Sequence, residues 1–179
     1  MILKPQDILI LMKLVVLQGK SNWSYSSLAA ELFMSPSEVH SGVRRAVAAR
    51  LMDERRRKPI KKALEEFVIH GVKYAYPPDR GGLTRGIPTS YAGPPLKDLI
   101  IPSDDPPPVW PDPEGETRGY EFSPLYQSVP KAAARDFRLY ELLVLLDAIR
   151  DSRARERELA IREIKARMQQ KWQEDEVPA

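Results

Sequence analysis

The stretch SPSEVHSGVRRAVAARLM, residues 35–52, decides the fold that we predict for this chain. Ser35 is a good N-cap, Pro36 fits the first helical turn, and Glu38 completes a Ser-x-x-Glu capping box. Apolar side chains then recur every four residues, at Val39, Val43, Val47 and Leu51. The pattern predicts an amphipathic helix that buries this apolar face.

The opposite face of the same helix carries small polar and basic side chains, namely Ser37, His40, Ser41, Arg44 and Arg45. The DNA major groove admits one α-helix, and base edges there are read by short polar side chains and by arginine. We therefore predict that these five residues read DNA bases. The alternative is an ordinary amphipathic helix whose polar face is only solvated.

Two further helices precede this one in the predicted order. Pro5 opens the first and Gly19 ends it, with Ile8, Leu11, Leu14, Val15 and Gln18 at helical spacing. Ser24 is the expected N-cap of a second, short helix that contains Leu28, Ala29 and Leu32. A short helix, a tight turn and a helix with a basic outer face are typical of a helix-turn-helix.

The run SLAAELFMSPSEVHSGVRRAVAARLMD, residues 27–53, resembles winged helix-turn-helix transcription regulators, broadly of the MarR-like kind. The resemblance covers about residues 4–54. Phe33 and Arg50 stand where such proteins commonly have glycine. The resemblance implies a recognition helix followed by a β-hairpin, the wing, whose tip lies along the DNA.

We predict the wing further along the chain, after an intervening helix that starts near Pro59. The segment VKYAY, residues 72–76, reads as one strand and IPTSYA, residues 87–92, as its partner. Arg80 and Arg85, on the glycine-rich turn between them, would contact phosphates. A structural loop is the alternative. A phosphate-binding loop of an enzyme is disfavoured, because no lysine is present and prolines follow.

The densest positive charge lies in the run RRRK, which is Arg55, Arg56, Arg57 and Lys58. We predict that these residues, with Ser35, contact the DNA backbone. Residues 1–99 carry 16 Lys and Arg against 9 Asp and Glu, whereas residues 100–179 carry 12 against 16. This asymmetry favours a basic DNA reader followed by an appendage with an excess of acidic residues.

The predicted organisation has three parts and a fold that is mainly α with a small β-hairpin. Residues 1–92 form a winged helix-turn-helix domain and residues 93–127 a proline-rich connector. Eight of the seventeen prolines fall within residues 93–113, which predicts an extended segment. Residues 128–179 form a C-terminal helical extension.

The C-terminal helices are the predicted dimerisation surface. Their apolar positions are Leu139, Leu142, Leu143, Leu146, Ile149, Ile161, Ile164 and Met168, on helices that extend to about Trp172. The first of these helices is so apolar that it must bury two sides. Two alternatives remain: the helices fold back on the first domain, or they bind a different protein.

Nothing in the sequence indicates catalysis, a cofactor or a metal site. Cysteine is absent, and Glu66 and His70 supply only two ligands at helical spacing. The apolar part of the first helix is too short to span a membrane, so we expect a soluble cytoplasmic protein. The predicted function is a sequence-specific, homodimeric DNA-binding repressor. The alternatives are an adaptor that binds another protein and, less favoured, a nucleic-acid enzyme.

Overall fold

The computed structural model describes residues 1–18 and 20–170, and this part of the chain is a mixed α/β protein with eight α-helices and two small sheets. Helices α1 to α8 span Pro5–Val16, Tyr25–Leu32, Pro36–Ala48, Lys61–His70, Val72–Ala75, Val129–Arg135, Phe137–Arg150 and Ala154–Gln169. Strands β1 to β5 span Met52–Asp53, Lys58–Pro59, Arg80–Pro88, Pro108–Pro111 and Thr117–Phe122. Helix predominates, as predicted. Gly19 and Trp172 lie outside the described residues.

Two helices that are buried on all sides form the centre of the molecule. In α1 every residue from Asp7 to Val15 is buried, and in α7 every residue from Leu142 to Arg150 is buried. The two helices pack against each other, while α3 covers α1, and α6 and α8 cover α7. A helix without a solvent face needs such cover on both sides. Most of the buried apolar side chains, from Ile8 to Met168, form one cluster.

A buried cation ties α1 to its neighbours. Lys13 is 5% exposed, and its Nζ lies 2.5 Å from a carboxylate oxygen of Glu31 in α2 and 2.6 Å from one of Asp136, the N-cap of α7. Burial alone would lower the pKa of Lys13. The hydrogen bonds and charges of Asp136 and Glu31 outweigh burial and raise that pKa.

The predicted dimerisation surface is wrong for the apolar residues of α7 and for two of the three in α8. Leu139, Leu142, Leu143, Leu146, Ile149, Ile164 and Met168 are 0–3% exposed within one chain. Ile161 is half-buried against the same core. These side chains pack on the chain's own helices, so the alternative that the C-terminal helices fold back describes the structure.

The prediction that residues 93–127 form an extended connector between two domains is also wrong. It contains β4, β5 and a 3-10 turn at Leu96–Asp98. The side chains of Leu96 and Trp110 are fully buried and belong to the common core cluster. Proline is compatible with a strand whose ladder is short, and Pro108 and Pro111 stand at the two ends of β4.

Most of the glycine-rich stretch from Asp79 to Tyr91 is strand β3, Arg80–Pro88, and not the tip of a hairpin, while Ser90 and Tyr91 belong to a 3-10 turn. β3 is antiparallel to both β4 and β5, which pair in parallel with each other. The predicted strand over residues 72–76 is mostly helix α5. A Cβ at Gly86 would overlap the Trp110 carbonyl, so glycine here permits close approach of two strands instead of a turn.

Asp147 of α7 connects the second sheet to the central helices. Its carboxylate is 1% exposed and accepts hydrogen bonds from Thr89 Oγ1 at 2.6 Å, Trp110 Nε1 at 2.7 Å and Arg150 Nη1 at 2.8 Å. Arg150 Nε also donates to the Tyr76 carbonyl at 2.8 Å. Burial raises the pKa of Asp147, while Arg150 and the two neutral donors oppose the rise. One carboxylate of α7 therefore holds β4 and the residue after β3, and through Arg150 it holds the chain at Tyr76.

Replacing Asp147 with alanine is expected to destabilise the fold by about 3–5 kcal/mol, because the Arg150 charge would remain buried without its partner. Urea denaturation followed by circular dichroism measures the change. Asp104→Ala removes an exposed carboxylate and should change the free energy of unfolding by less than about 0.5 kcal/mol. Equal effects of the two substitutions would contradict a central role for Asp147.

Candidate nucleic-acid interface

The outer face of α3 carries most of the polar residues predicted for it. Ser37, His40 and Arg44 are exposed and Ser41 is half-exposed. Their spacing of three or four residues keeps them on one side of the helix. The opposite side is buried through Val39, Val43, Leu51 and also Ala46, while Val47 is half-buried against the same core.

Arg45 does not belong to this exposed face, so its assignment as a base-reading residue is wrong. Its Nε and Nη2 donate to the two carboxylate oxygens of Asp7 in α1, each at 2.8 Å. Asp7 is fully buried, and the Arg45 side chain is 11% exposed. The hydrogen bond to Asp7 raises the pKa of Arg45 against the opposing effect of burial. Arg45 therefore fixes α3 on α1.

Close packing of α1 and α3 surrounds this ion pair. A Cβ at Gly42 would lie 2.5 Å from Ile10 Cδ1 and 2.9 Å from Asp7 Oδ1, so glycine lets the two helices approach. Glu38 accepts from Gln6 Nε2 at 2.8 Å and from Arg45 Nη2 at 3.1 Å. These bonds, first the one from Gln6, lower the pKa of Glu38 despite burial.

The N-terminus of α3 is capped as predicted, but only in part. Ser35 Oγ accepts from the Glu38 backbone N–H at 3.1 Å and lies 3.2 Å from Ser37 Oγ. The Glu38 carboxylate is directed at α1, so the second half of the capping box is replaced by an interhelical contact. Ser35, predicted to contact the DNA backbone, remains exposed at this helix end.

A β-hairpin follows α3 directly, contrary to the prediction that it lies further along the chain. β1 pairs with β2 antiparallel, with Met52 opposite Pro59 and Asp53 opposite Lys58. The turn between them is the arginine run. Arg55 and Lys58 are exposed, and the Arg56 side chain is 80% exposed. Three of the four predicted phosphate contacts in this run therefore extend into solvent.

Arg57 is the exception, because it holds the hairpin to the segment before α2. Its Nε donates to the Ser21 carbonyl at 3.2 Å and its Nη2 to the Trp23 carbonyl at 2.7 Å. Trp23 Nε1 donates back to the Arg57 carbonyl at 3.1 Å, and the guanidinium carbon lies 4.0 Å from the indole centroid. We name this arrangement the Arg57–Trp23 clamp.

An aromatic series continues from the clamp to the exposed face of α3. The Trp23 and Tyr25 rings meet edge to face at 5.6 Å, and the Tyr25 and His40 rings do so at 4.9 Å. Trp23 and Tyr25 were missed as site residues. In the sequence they appear only as two aromatic residues on either side of the Ser24 cap. This pattern indicates a site only when it is known that the hairpin packs against Trp23.

Arg80 and Arg85 lie on β3 and not on the hairpin after α3. The Arg80 guanidinium carbon is 4.9 Å from the centroid of the Phe122 ring, and its Nε is 3.8 Å from an Asp151 oxygen. Arg85 is exposed opposite Arg118 of β5. Their assignment to a wing tip is wrong, because the stretch that carries them is a strand.

Within residues 1–18 and 20–170, no group of three or more His, Cys, Asp or Glu side chains is arranged to hold a metal ion. None of the helices in this part of the chain has the length and apolar composition needed to cross a bilayer.

The neighbours Arg44 and Arg45 are expected to differ sharply in their effect on stability. Arg45→Ala leaves the buried Asp7 carboxylate uncompensated and should cost about 3–5 kcal/mol in unfolding free energy. Arg44→Ala removes an exposed side chain and should cost less than about 0.5 kcal/mol. Chemical denaturation of both variants measures this. Similar losses would mean that the ion pair does not anchor α3.

A second matched pair tests the clamp. Arg57→Ala loses two hydrogen bonds to backbone carbonyls and the contact with the indole, so a cost of about 1–3 kcal/mol is expected. Hydrogen exchange of the hairpin amides, residues 53–58, should accelerate at the same time. Arg56→Ala removes the same charge from the turn and should leave both quantities nearly unchanged. Unaltered exchange in Arg57→Ala would contradict the clamp.

Comparison of the chain with protein-family models, with curated proteins and with solved structures finds no match in any of the three. The functional reading of this surface therefore depends on its geometry and charge.

Proposed function

We propose that the chain is a sequence-specific duplex-DNA-binding protein that acts as a transcription regulator, most directly as a repressor that occupies its site. The observation that carries the proposal is the exposed face of α3 beside an arginine-bearing hairpin, with contacts from Arg57 through Trp23 and Tyr25 to His40. A helix for the major groove and a cationic hairpin for the phosphates are the two parts that such recognition requires.

The proposal divides the residues by role. Ser37, His40, Ser41 and Arg44 read base edges, while Arg55, Arg56 and Lys58 contact phosphates. Arg45 and Arg57, each held by internal hydrogen bonds, position the helix and the hairpin.

If two chains bind one DNA site as a homodimer, they must meet through residues that are not buried in the core of one chain. The apolar positions predicted for dimerisation are committed to packing within one chain, apart from half-buried Ile161. The number of chains bound per DNA duplex, measured by analytical ultracentrifugation, decides whether one chain or two occupy the site.

An adaptor that binds another protein is the second candidate. It is favoured by large apolar side chains that remain uncovered: Ile101 is 85% exposed, Tyr74 77% and Phe137 63%. Such residues at a surface favour a protein partner when they are contiguous. In that case DNA affinity would be weak and independent of sequence.

Arg44→Ala is expected to weaken binding to the preferred duplex by about 1–3 kcal/mol and to leave binding to random duplex nearly unchanged, because Arg44 is assigned to a base edge. The preferred duplex is obtained by selection from a randomised pool. Fluorescence anisotropy over roughly 50–200 mM salt then gives both affinities.

Arg56→Ala is expected to weaken both duplexes alike and to reduce the slope of log K against log salt by about 0.9, the loss of one phosphate contact. Arg162→Ala, which removes the same charge from the exposed side of α8, should change neither quantity. The proposal fails if no duplex is enriched by selection, or if Arg44→Ala weakens preferred and random DNA equally.

A further inference from the structure

A cleft of about 610 Å³ lies between the residues after β3, the segment 99–105 and the start of α8. Its volume falls in the range of small-molecule sites, roughly 300–1,000 Å³. None of the residues assigned to DNA reading by α3 or the hairpin lines it. A ligand in this cleft is therefore independent of the proposed DNA binding.

Three apolar side chains of the cleft lining are at least partly uncovered. Leu99 is 50% exposed and Ile101 85% exposed, and Leu159 of α8 lines the same cleft. Tyr91 is half-buried there, and its hydroxyl has no hydrogen-bond partner among the described residues. Burial, and then the charge of Glu156, raises the pKa of Tyr91, so the phenol remains a neutral donor.

The lining also contains charges of both signs, but the acidic groups already have partners. Asp151 lies 3.8 Å from Arg80, and Glu156 accepts from the Arg153 backbone N–H at 3.3 Å. An Asp105 oxygen lies 3.4 Å from Ser103 Oγ.

The cations that line the cleft are less satisfied. Within the described part of the chain, no carboxylate comes within ion-pair distance, 4.0 Å, of the guanidinium of Arg153 or Arg155. Both arginines are exposed, so their guanidinium donors and the Tyr91 hydroxyl are open to an acceptor on a ligand. The cleft thus combines cationic donors with uncovered apolar side chains.

Part of the cleft lining is tied to the core of the fold. Thr89, directly before the lining residues Ser90 and Tyr91, is fixed by its hydrogen bond to Asp147. Arg80, which is half-exposed, contacts the Phe122 ring and Asp151. A cleft that is formed before binding avoids part of the ordering cost of a ligand.

We propose that this cleft binds an amphipathic carboxylate, with the carboxylate at Arg153 and Arg155 and the apolar body on Leu99, Ile101 and Leu159. Guanidinium groups match the two oxygens of a carboxylate. The three nearby acidic side chains favour a ligand with a single negative charge over a dianion.

Isothermal titration of the full chain with octanoate tests the proposal. Octylammonium, which has an eight-carbon chain and the opposite charge, is the matched ligand. We expect saturable binding of octanoate with one site per chain and at least tenfold weaker binding of octylammonium. The double variant Arg153→Gln/Arg155→Gln should weaken octanoate binding at least tenfold.

The double variant Arg162→Gln/Lys165→Gln removes the same charge from exposed positions of α8 outside the cleft and should bind octanoate as the unaltered chain does. Thermal unfolding of both double variants establishes that they are folded. The proposal is overturned if octanoate does not bind, if both ligands bind equally, or if both double variants lose binding to the same extent.

Discussion

The ion pair between Asp7 and Arg45 is the constraint on which the proposed interface depends. Asp7 lies on a helix that is buried on all sides. Its carboxylate accepts from the Lys4 backbone N–H at 2.8 Å, and the guanidinium that balances its charge comes from α3. Replacing such a pair by well-packed apolar groups can be neutral, whereas breaking it is costly. The pair therefore specifies the rotation of α3 on α1 more than it adds net stability, and that rotation determines which residues of α3 face solvent.

The hairpin is likewise held in place by an arginine that makes internal hydrogen bonds, in this case Arg57. In Arg44–Arg45 and in Arg56–Arg57, one arginine of each neighbouring pair is held inside by hydrogen bonds and the other extends outward. Because guanidinium donates in a planar fork, one inward arginine fixes backbone geometry at several points. The contacts from the clamp through Tyr25 to His40 then relate the hairpin to the helix face. Inward arginines set the geometry, and outward ones remain for a partner.

The sequence predicts α3 well because its signals are local. The Ser35 cap and the spacing from Val39 to Leu51 determine its start and its buried face. What covers a buried face is not local: the apolar pattern around Leu143 fits packing on a second copy as well as on α1. The role of a glycine is not local either. Gly86 lets the Trp110 carbonyl of β4, 24 residues away in sequence, come close to β3. Composition alone does not distinguish this role from that of a glycine in a turn. Charge runs likewise do not reveal which arginine faces inward.

At the two positions where the sequence differs from the winged helix-turn-helix pattern that it resembles, the backbone adopts a conformation that glycine favours although the residue is not glycine. Phe33 and Arg50 replace expected glycines, yet their φ angles are 54° and 61°, in the left-handed region that glycine favours. Holding a side chain in this region costs on the order of 1 kcal/mol. At Phe33 the exposed ring lies 5.0 Å from the Arg135 guanidinium carbon and 5.9 Å from Lys131 Nζ, contacts that offset part of this cost. The turn before α3 therefore keeps its left-handed geometry, while Phe33 adds a contact between the helix pair and α6 that glycine lacks.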